Sequence, residues 1–476
     1  MNKKVIGWII SIVLTAIVFL IPVDSFGIAG LTIVEKRIIA LFVFAACMWI
    51  SEPVPIWTTS VLVMVLMLVL TSSSMLALFV PEPGLPSNAI PYKDIMAAFA
   101  DPTIMLFMGG FVLASAASKY KFDAALAKVM MKPFGTKPTM VMLGFIIITA
   151  IFSMFMSNTA TAAMMLAILS PVLAKMPVEG KGRIGMALSI PVAANIGGMG
   201  TPIGTPPNAV ASKYLAEAVG SPVGFGSWMA VMVPIVIIIL FVTWIFLCKV
   251  FPFQKGQRLN VEIEGEFDKS PRAWVVYVTF IVTILLWLTG KWTHLNANVV
   301  ALIPFAVFAI TGVFDKKDLR NIDWDVLWLV AGGFALGVGL DKTGLAAHLV
   351  ESIPFHTWPV MAVILGSGLL CLLMSTFMSN SATAALLIPI LAAVAAGMPE
   401  ELSPLGGAAS LLIGLALSAS LAMALPISTP PNALAYAKGF IKQREMALVG
   451  IFVGIFGMIV AYAILFTFCK AGFSFA

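Results

Sequence analysis

Two kinds of short polar stretch interrupt the apolar runs of this sequence, and each kind occurs twice. One is Ser157-Asn158-Thr159 with its counterpart Ser379-Asn380-Ser381; the other is Thr205-Pro206 with Thr429-Pro430. Serine, threonine and asparagine are N-cap types, whose side chains satisfy free N–H groups of a first helical turn. Proline is favoured at the first helical position, where its missing N–H costs nothing. Four such helix starts, brought together, would each present about half a positive charge and unsatisfied N–H donors, which suits a ligand with two negative groups. None of the four segments contains Arg, Lys, His, Asp or Glu. An anion held there would be met by dipoles rather than guanidinium, and a coupling ion would not be a proton on a carboxylate. Hydroxyl, amide and carbonyl oxygens suit a hard cation, and buried cations would offset a dianion's charge where the dielectric is low. Sodium fits this best.

The elements that must position these residues are membrane helices. Of the 476 residues 61% are hydrophobic and 11% charged, with a mean hydropathy of +1.05, far from the roughly 25% charge of soluble domains. Many stretches reach the roughly 17–25 apolar residues that cross a bilayer core. Eleven spans are expected near residues 5–22, 37–51, 56–79, 103–118, 184–217, 228–250, 273–290, 297–314, 323–340, 405–438 and 446–469. The opening lysines and apolar run could pass for a signal peptide, but no small-residue cleavage site is evident around Pro22 to Phe26, so it is kept as the first span. Residues 138–175 and 358–397 are too long for one helix and are split by the polar triplets. Each reads as a helical hairpin that enters the membrane and returns on the same side. The spans 184–217 and 405–438 are interrupted by glycine and proline, at 197–208 and 426–432. Such breaks survive at membrane depth only where they face protein or a watery cavity.

An internal repeat orders these parts. Phe155-Met-Ser-Asn-Thr-Ala-Thr-Ala-Ala163 recurs at 377–385 with one difference in nine, Thr205-Pro-Pro-Asn-Ala209 recurs unchanged at 429–433, and Gly109-Gly-Phe111 recurs at 332–334. The offsets are 222, 224 and 223 residues, so one ordered unit was duplicated. Lysines and arginines crowd the flanks of the first hairpin, from Lys119 to Arg183, while Asp341, Glu351, Glu400 and Glu401 flank the second beside a single basic residue, Lys342. By the positive-inside rule the first hairpin opens from the cytoplasm and the second from outside, so the copies are inverted. The N-terminus is then cytoplasmic, the C-terminus extracytoplasmic, and Gln254 to Arg272 is the longest cytoplasmic loop. The net charge of +6 reports this topology and not a nucleic acid partner.

Several residues carry no chemistry in this reading. Trp57, Trp228, Trp274, Trp292 and Trp358 anchor span ends at the headgroup level, and Glu52 is interfacial. His294, His348 and His356 fall in extracytoplasmic connections and read as surface residues. Cys47, Cys248, Cys371 and Cys469 lack metal or redox spacing and read as packing. Ala160 to Ala163 and Ala382 to Ala385 let hairpin arms approach closely. An enzyme is excluded by the lack of a Ser-Lys or Ser-His pair, paired aspartates or His-Glu-x-x-His within the spans. An anion channel would leave paired cation sites without purpose.

Paired Ser-Asn-Thr tips, each followed by a Thr-Pro-Pro-Asn break, resemble the divalent anion:sodium symporter family of bacterial dicarboxylate and mammalian citrate carriers, over most of the chain. The resemblance implies an all-α inner-membrane homodimer in lipid. In each copy an elevator-like transport domain of hairpins and broken helices would slide against a scaffold. Residues 1–100 and 273–320 would be scaffold helices, 101–253 and 321–476 the two repeats, and 254–272 the linker. It implies one sodium site at Ser153, Ser157, Asn158 and the backbone near Gly204, and a second at Ser375, Ser379, Asn380 and the backbone near Ser428. Substrate carboxylates would meet Asn158, Thr159, Asn380 and Ser381 above a floor of Thr205, Pro206, Thr429 and Pro430. The family's usual motif has threonine at Ser381; serine keeps the hydroxyl and loses a methyl, which bears on pocket size. The expected activity is sodium-coupled uptake of C4-dicarboxylates such as succinate, malate and fumarate, with no organic cofactor. An exchanger of dicarboxylates or tricarboxylates and a sodium:sulfate symporter are the alternatives.

Overall fold

The computed structural model describes residues 3–81, 84–177, 180–261, 263, 266–352, 358–473 and 475. They are almost entirely helical, and among them there is no strand, only an isolated bridge between Ser72 and Ile90. His356 lies outside the described residues.

Three helices open the chain: α1 (Lys3–Leu20), α2 (Ile33–Ser51) and α3 (Ile56–Thr71). The expectation placed the second span at 37–51, but a capping box between Thr32 and Glu35 starts α2 four residues earlier and takes Glu35, Lys36 and Arg37 into its buried first turns. Lys36 Nζ then donates to the Ile21 carbonyl at 3.1 Å and Arg37 to that of Leu70 at 2.7 Å. Glu52, in the left-handed region at φ 43°, ends α2 before Pro53. The third span was expected to reach residue 79, and α3 stops at Thr71. There the Thr71 and Ser72 hydroxyls bond back to the carbonyls of Met67 and Leu68, in a run of hydroxyl side chains that competes with the backbone.

The first repeat supplies α4 (Pro102–Lys119), a short α5 (Phe122–Met131), the hairpin α6 (Pro138–Phe155) and α7 (Asn158–Ala174), the broken helix α8 (Lys181–Gly198) and α9 (Pro206–Val219), and α10 (Phe225–Val250). After α11 (Pro271–Leu288) and α12 (Leu302–Ile310), the second repeat runs in the same order. It comprises α13 (Trp324–Thr343), a short α14 (Leu345–Ser352), the hairpin α15 (Val360–Phe377) and α16 (Asn380–Gly397), the broken helix α17 (Gly407–Leu421) and α18 (Pro430–Ala437), and α19 (Gln443–Lys470). Each polar triplet and each Thr-Pro-Pro stretch falls at a break between two helices.

Among the described residues eight helices are long and apolar enough to cross a membrane: Tyr92–Lys119, six in α6, α10, α11, α13, α15 and α16, and α19. Three of these are hairpin arms. The remaining expected spans appear as shorter apolar helices (α1, α3 and the stretch 297–310), as the charged α2, or as the two broken helices.

Two groups of helices pack among themselves and meet along α13, which also lies against α16. α2, α3 and α13 pack together, as do α4, α11 and α12. The hairpins and broken helices form the other group, and they interlock across the repeats: α9 lies on α16 and α17, while α18 lies on α7 and α8. Each broken helix therefore ends against the other repeat's hairpin, and this brings both hairpin tips to one place.

Two assignments change. Trp228, expected at the headgroups, is fully buried, and its Nε1 donates to the Met199 carbonyl at 3.1 Å inside the first break. The other four tryptophans are exposed. His348, expected on the surface, sits 3.1 Å from the carboxylate of buried Glu35, joining α14 to the start of α2. His294 is exposed.

Candidate functional site

Each hairpin turns on two extended residues. Met156 and Ser157 (φ/ψ −126/159° and −60/141°) close the first, and Met378 and Ser379 (−131/172° and −67/143°) the second. Ser157 Oγ accepts from Ala160 N–H at 3.3 Å and Ser379 Oγ from Ala382 N–H at 3.2 Å, so both serines cap the returning helix as their types predict. Asn158 and Asn380 open those helices.

Next to each cap lies an oxygen cluster. The Asn158 amide head is 2.6 Å from Ser153 Oγ, 3.1 Å from the Ala194 carbonyl and 3.2 Å from the Gly204 carbonyl. With Nδ2 turned inward it donates to all three. With Oδ1 turned inward it completes a cage of four oxygens of the sort a hard cation accepts. Gly198 is needed beside it, because a Cβ there would collide with the Asn158 amide. The second copy repeats the core of this arrangement: Ser375 Oγ lies 2.7 Å from Asn380 Oδ1 and 3.1 Å from the Ala419 carbonyl. Ser153 and Ser375 are wholly buried. Ser157, grouped with the first cluster in the expectation, caps α7 and lines the cavity described below. Ser428 Oγ donates to the Thr376 carbonyl at 2.7 Å and so ties the second break to the second hairpin.

The breaks behave alike with one difference. Thr429 Oγ1 accepts from Asn432 N–H at 3.3 Å and caps α18 as expected. Thr205 stands at the N-cap of α9, but its side chain makes no capping bond. Pro206 and Pro207 have no N–H to give, and the N–H of Asn208 goes to the Thr205 carbonyl at 3.1 Å.

The sequence reading missed the asparagines of the breaks. Asn208 Nδ2 lies 3.0, 3.3 and 2.8 Å from the carbonyls of Gly198, Met199 and Thr201, and Asn432 Nδ2 lies 2.7 and 3.1 Å from those of Met423 and Leu425. They supply the donors that the unwound backbone lacks at membrane depth. Their place inside the recurring Thr-Pro-Pro-Asn-Ala motif was the available signal. Asn195, also missed, donates to Thr429 Oγ1 at 3.1 Å and links the two repeats.

All these parts border one cavity of about 350 Å³. Ser157, Asn158, Thr159, Ser379, Asn380 and Ser381 face it from the tips, and Gly204, Thr205, Pro206, Ser428, Thr429 and Pro430 from the breaks. Of the expected residues only Ser153 and Ser375 lie behind the wall rather than in it. The opposite wall comes from the other helix group: Phe107 and Phe111 of α4, and Asp323, Asp325, Val326 and Leu329 at the start of α13. Among the described residues that line the cavity there is no lysine, arginine or histidine. Among the described residues no cluster of three or more His, Cys, Asp or Glu could hold a metal ion.

The family model described as citrate transporter matches residues 46–408. The chain is 28% identical to the sodium-dependent dicarboxylate transporter SdcS of Staphylococcus saprophyticus, over 97% of this chain and 91% of that protein. It is 32% identical to an uncharacterized transporter of Haemophilus influenzae, over 94% of each. Two solved structures share the fold at a TM-score of 0.55 and 12% identity: MtrF of Neisseria gonorrhoeae, described among antimetabolite efflux pumps, covering 86% of this chain and 94% of that one, and the YdaH transporter of Alcanivorax borkumensis, covering 81% and 89%. Matched by the family model over residues 46–408 and by relatives along nearly its whole length, the chain belongs to the citrate transporter family, within the divalent anion:sodium symporter family that its motifs resemble.

Proposed function

We propose that the chain is a secondary active transporter that couples sodium to the uptake of C4-dicarboxylates such as succinate, malate and fumarate, moving them by an elevator mechanism. The observation that carries this reading is the cavity itself. Two asparagine tips and two Thr-Pro-Pro breaks converge on it, and it contains no basic side chain. A dianion placed there is favoured by helix starts and needs cations to offset its charge. The clusters of Ser153, Asn158 and the Ala194 and Gly204 carbonyls, and of Ser375, Asn380 and the Ala419 carbonyl, offer oxygen ligands for two sodium ions. Asn158, Thr159, Asn380 and Ser381 are the groups assigned to the two carboxylates, above Thr205, Pro206, Thr429 and Pro430. The sodium dependence named for the staphylococcal relatives agrees with this assignment.

In the same reading the helix group with both hairpins and both breaks moves as a unit against the other helices, in each copy of a homodimer. The first hairpin opens from the cytoplasm, the N-terminus is cytoplasmic and the C-terminus lies outside. Citrate is a second candidate substrate, because the matching family model is described as a citrate transporter.

Proteoliposomes with an inward sodium gradient decide the matter. Labelled succinate should accumulate with sodium and not with choline, with citrate measured as competitor. Uptake that ignores sodium and requires dicarboxylate inside would replace this reading with an exchanger.

A further inference from the structure

The wall facing the tips holds two carboxylates, Asp323 and Asp325, in a cavity assigned to an anion. Neither is explained by helix capping. Asp323 occupies the N-cap of α13, yet its side chain makes no capping bond, and Asp325 lies two residues on, within the first turn. The start of α13 points at the cavity edge and would by itself be a fifth helix start favouring anions; the two carboxylates cancel that contribution. Asp323 and Ser157 of the first hairpin's tip border the same cavity. The two walls differ in kind. Tips and breaks belong to the group proposed to move, whereas α13 packs on α2 and α3 in the other group.

We infer that Asp323 and Asp325 lower the affinity for the dianion selectively in the cytoplasm-facing position, and so promote its release there. This rests on the dicarboxylate assignment and on the sidedness given above, by which the start of α13 lies at the cytoplasmic end. A dianion bound between the tips meets two like charges only while the tips stand opposite α13. Once the moving group has shifted outward, the same tips no longer face them. Such a contact weakens the ligand's hold at the inner face alone, because a ligand shifts a two-state equilibrium only by its differential affinity for the two states, while the ion gradient still sets the direction of net transport. The carboxylates supply the difference without touching the groups that bind the anion on either side.

The test compares right-side-out with inverted membrane vesicles, carrying the full-length protein, for Asp323→Asn, Asp325→Asn and the double variant. The half-saturating succinate concentration should fall about three- to tenfold in inverted vesicles for the double variant, the scale expected of like charges in a partly solvated site. In right-side-out vesicles it should stay unchanged, while succinate loaded inside should slow net uptake more strongly than in the parent, because it rebinds. Asp315→Asn controls for general surface charge: Asp315 lies on the same connection, pairs with Lys119 at 3.7 Å and does not line the cavity. Melting temperatures of the Asp323 and Asp325 variants should match the parent, since Asp323 makes no capping bond. An equal shift on both faces, a shift on the outer face alone, no shift at all, or the same shift in Asp315→Asn would overturn the inference. Parent vesicles without sodium-dependent succinate transport would sink the substrate assignment first, before any variant is compared.

Discussion

Asn208 and Asn432 do for the unwound backbone what Ser157 and Ser379 do for the hairpin tips, but in the opposite sense: the serines accept from free N–H groups, and the asparagines donate to free carbonyls. This separates two classes of variant. Asn208→Ala strips three buried carbonyls of a donor and should cost about 1–3 kcal/mol of stability, read as a lowered melting temperature in detergent, with transport falling in step. Asn158→Ala and Asn380→Ala should leave the melting temperature near that of the parent and abolish sodium-dependent succinate uptake. Normal uptake in either would remove that asparagine from the site. Ser381→Thr should shift the ratio of C4 to C6 acid uptake more than it shifts sodium dependence; an unchanged ratio would place that side chain away from the substrate. Legibility at this scale followed duplication. The capping serines and tip asparagines could be read because the same types recur at the same place in both copies. Asn195 could not: 224 residues on, at the offset that joins Thr205 to Thr429, stands Ala419. Asp323 and Asp325 belong to no recurring motif, so nothing separated them from ordinary charges at the start of a span.

At the scale of elements, the recurring Gly-Gly-Phe segments have a double use that their spacing alone did not reveal. The first glycine of each pair lets its helix cross a neighbour in its own group. A Cβ on Gly109 would strike the backbone of Ala301, and one on Gly332 would strike Ser60. The second glycine faces the hairpin and broken-helix group: Gly110 is bordered by the Ile203 side chain at 3.4 Å from an ideal Cβ, and Gly333 by Ala385. Gly332→Ala should therefore separate α13 from α3 and cost about 1–3 kcal/mol by overpacking, seen as a lower melting temperature. Gly110→Ala meets only the end of a flexible side chain, so its melting temperature should stay near the parent's. Its maximal uptake rate should fall, because the added methyl lies on a surface proposed to slide. Equal destabilisation by both changes would mean that the two glycines share one role. The helices, hairpins and breaks were readable because apolar length, polar triplets and proline are local signals. The end of α3 at Thr71 and the early start of α2 were not, because hydroxyl back-bonding and the capping box override apolar length.

For the whole molecule, the interlock of the repeats means that α9 travels with the second hairpin if the helices move as proposed. α9 also carries Lys213, whose Nζ lies 3.0 Å from Asp101 Oδ2 at the start of α4, 3.3 Å from Glu217 and 4.5 Å from the centre of the Phe334 ring on α13. The lysine and Asp101 are mostly buried, so this ion pair ties the two helix groups at the end of α13 opposite to Asp323. An elevator stroke must part it. Lys213→Cys combined with Asp101→Cys, in a chain whose Cys47, Cys248, Cys371 and Cys469 have been replaced, provides a bridge across the same boundary. A short bis-methanethiosulfonate, which forms a disulfide with each cysteine as sulfinate leaves, should then arrest sodium-driven succinate uptake, and reduction should restore it, while either single cysteine variant treated alike keeps transporting. The binding step should survive the bridge, because the tips and breaks are untouched; sodium-dependent protection against heat by succinate in detergent reads it separately from transport. Bridged protein that still accumulates succinate at the parent's rate would mean that α9 does not move past α4, and the sliding of one helix group against the other would have to be abandoned in favour of local motion at the tips.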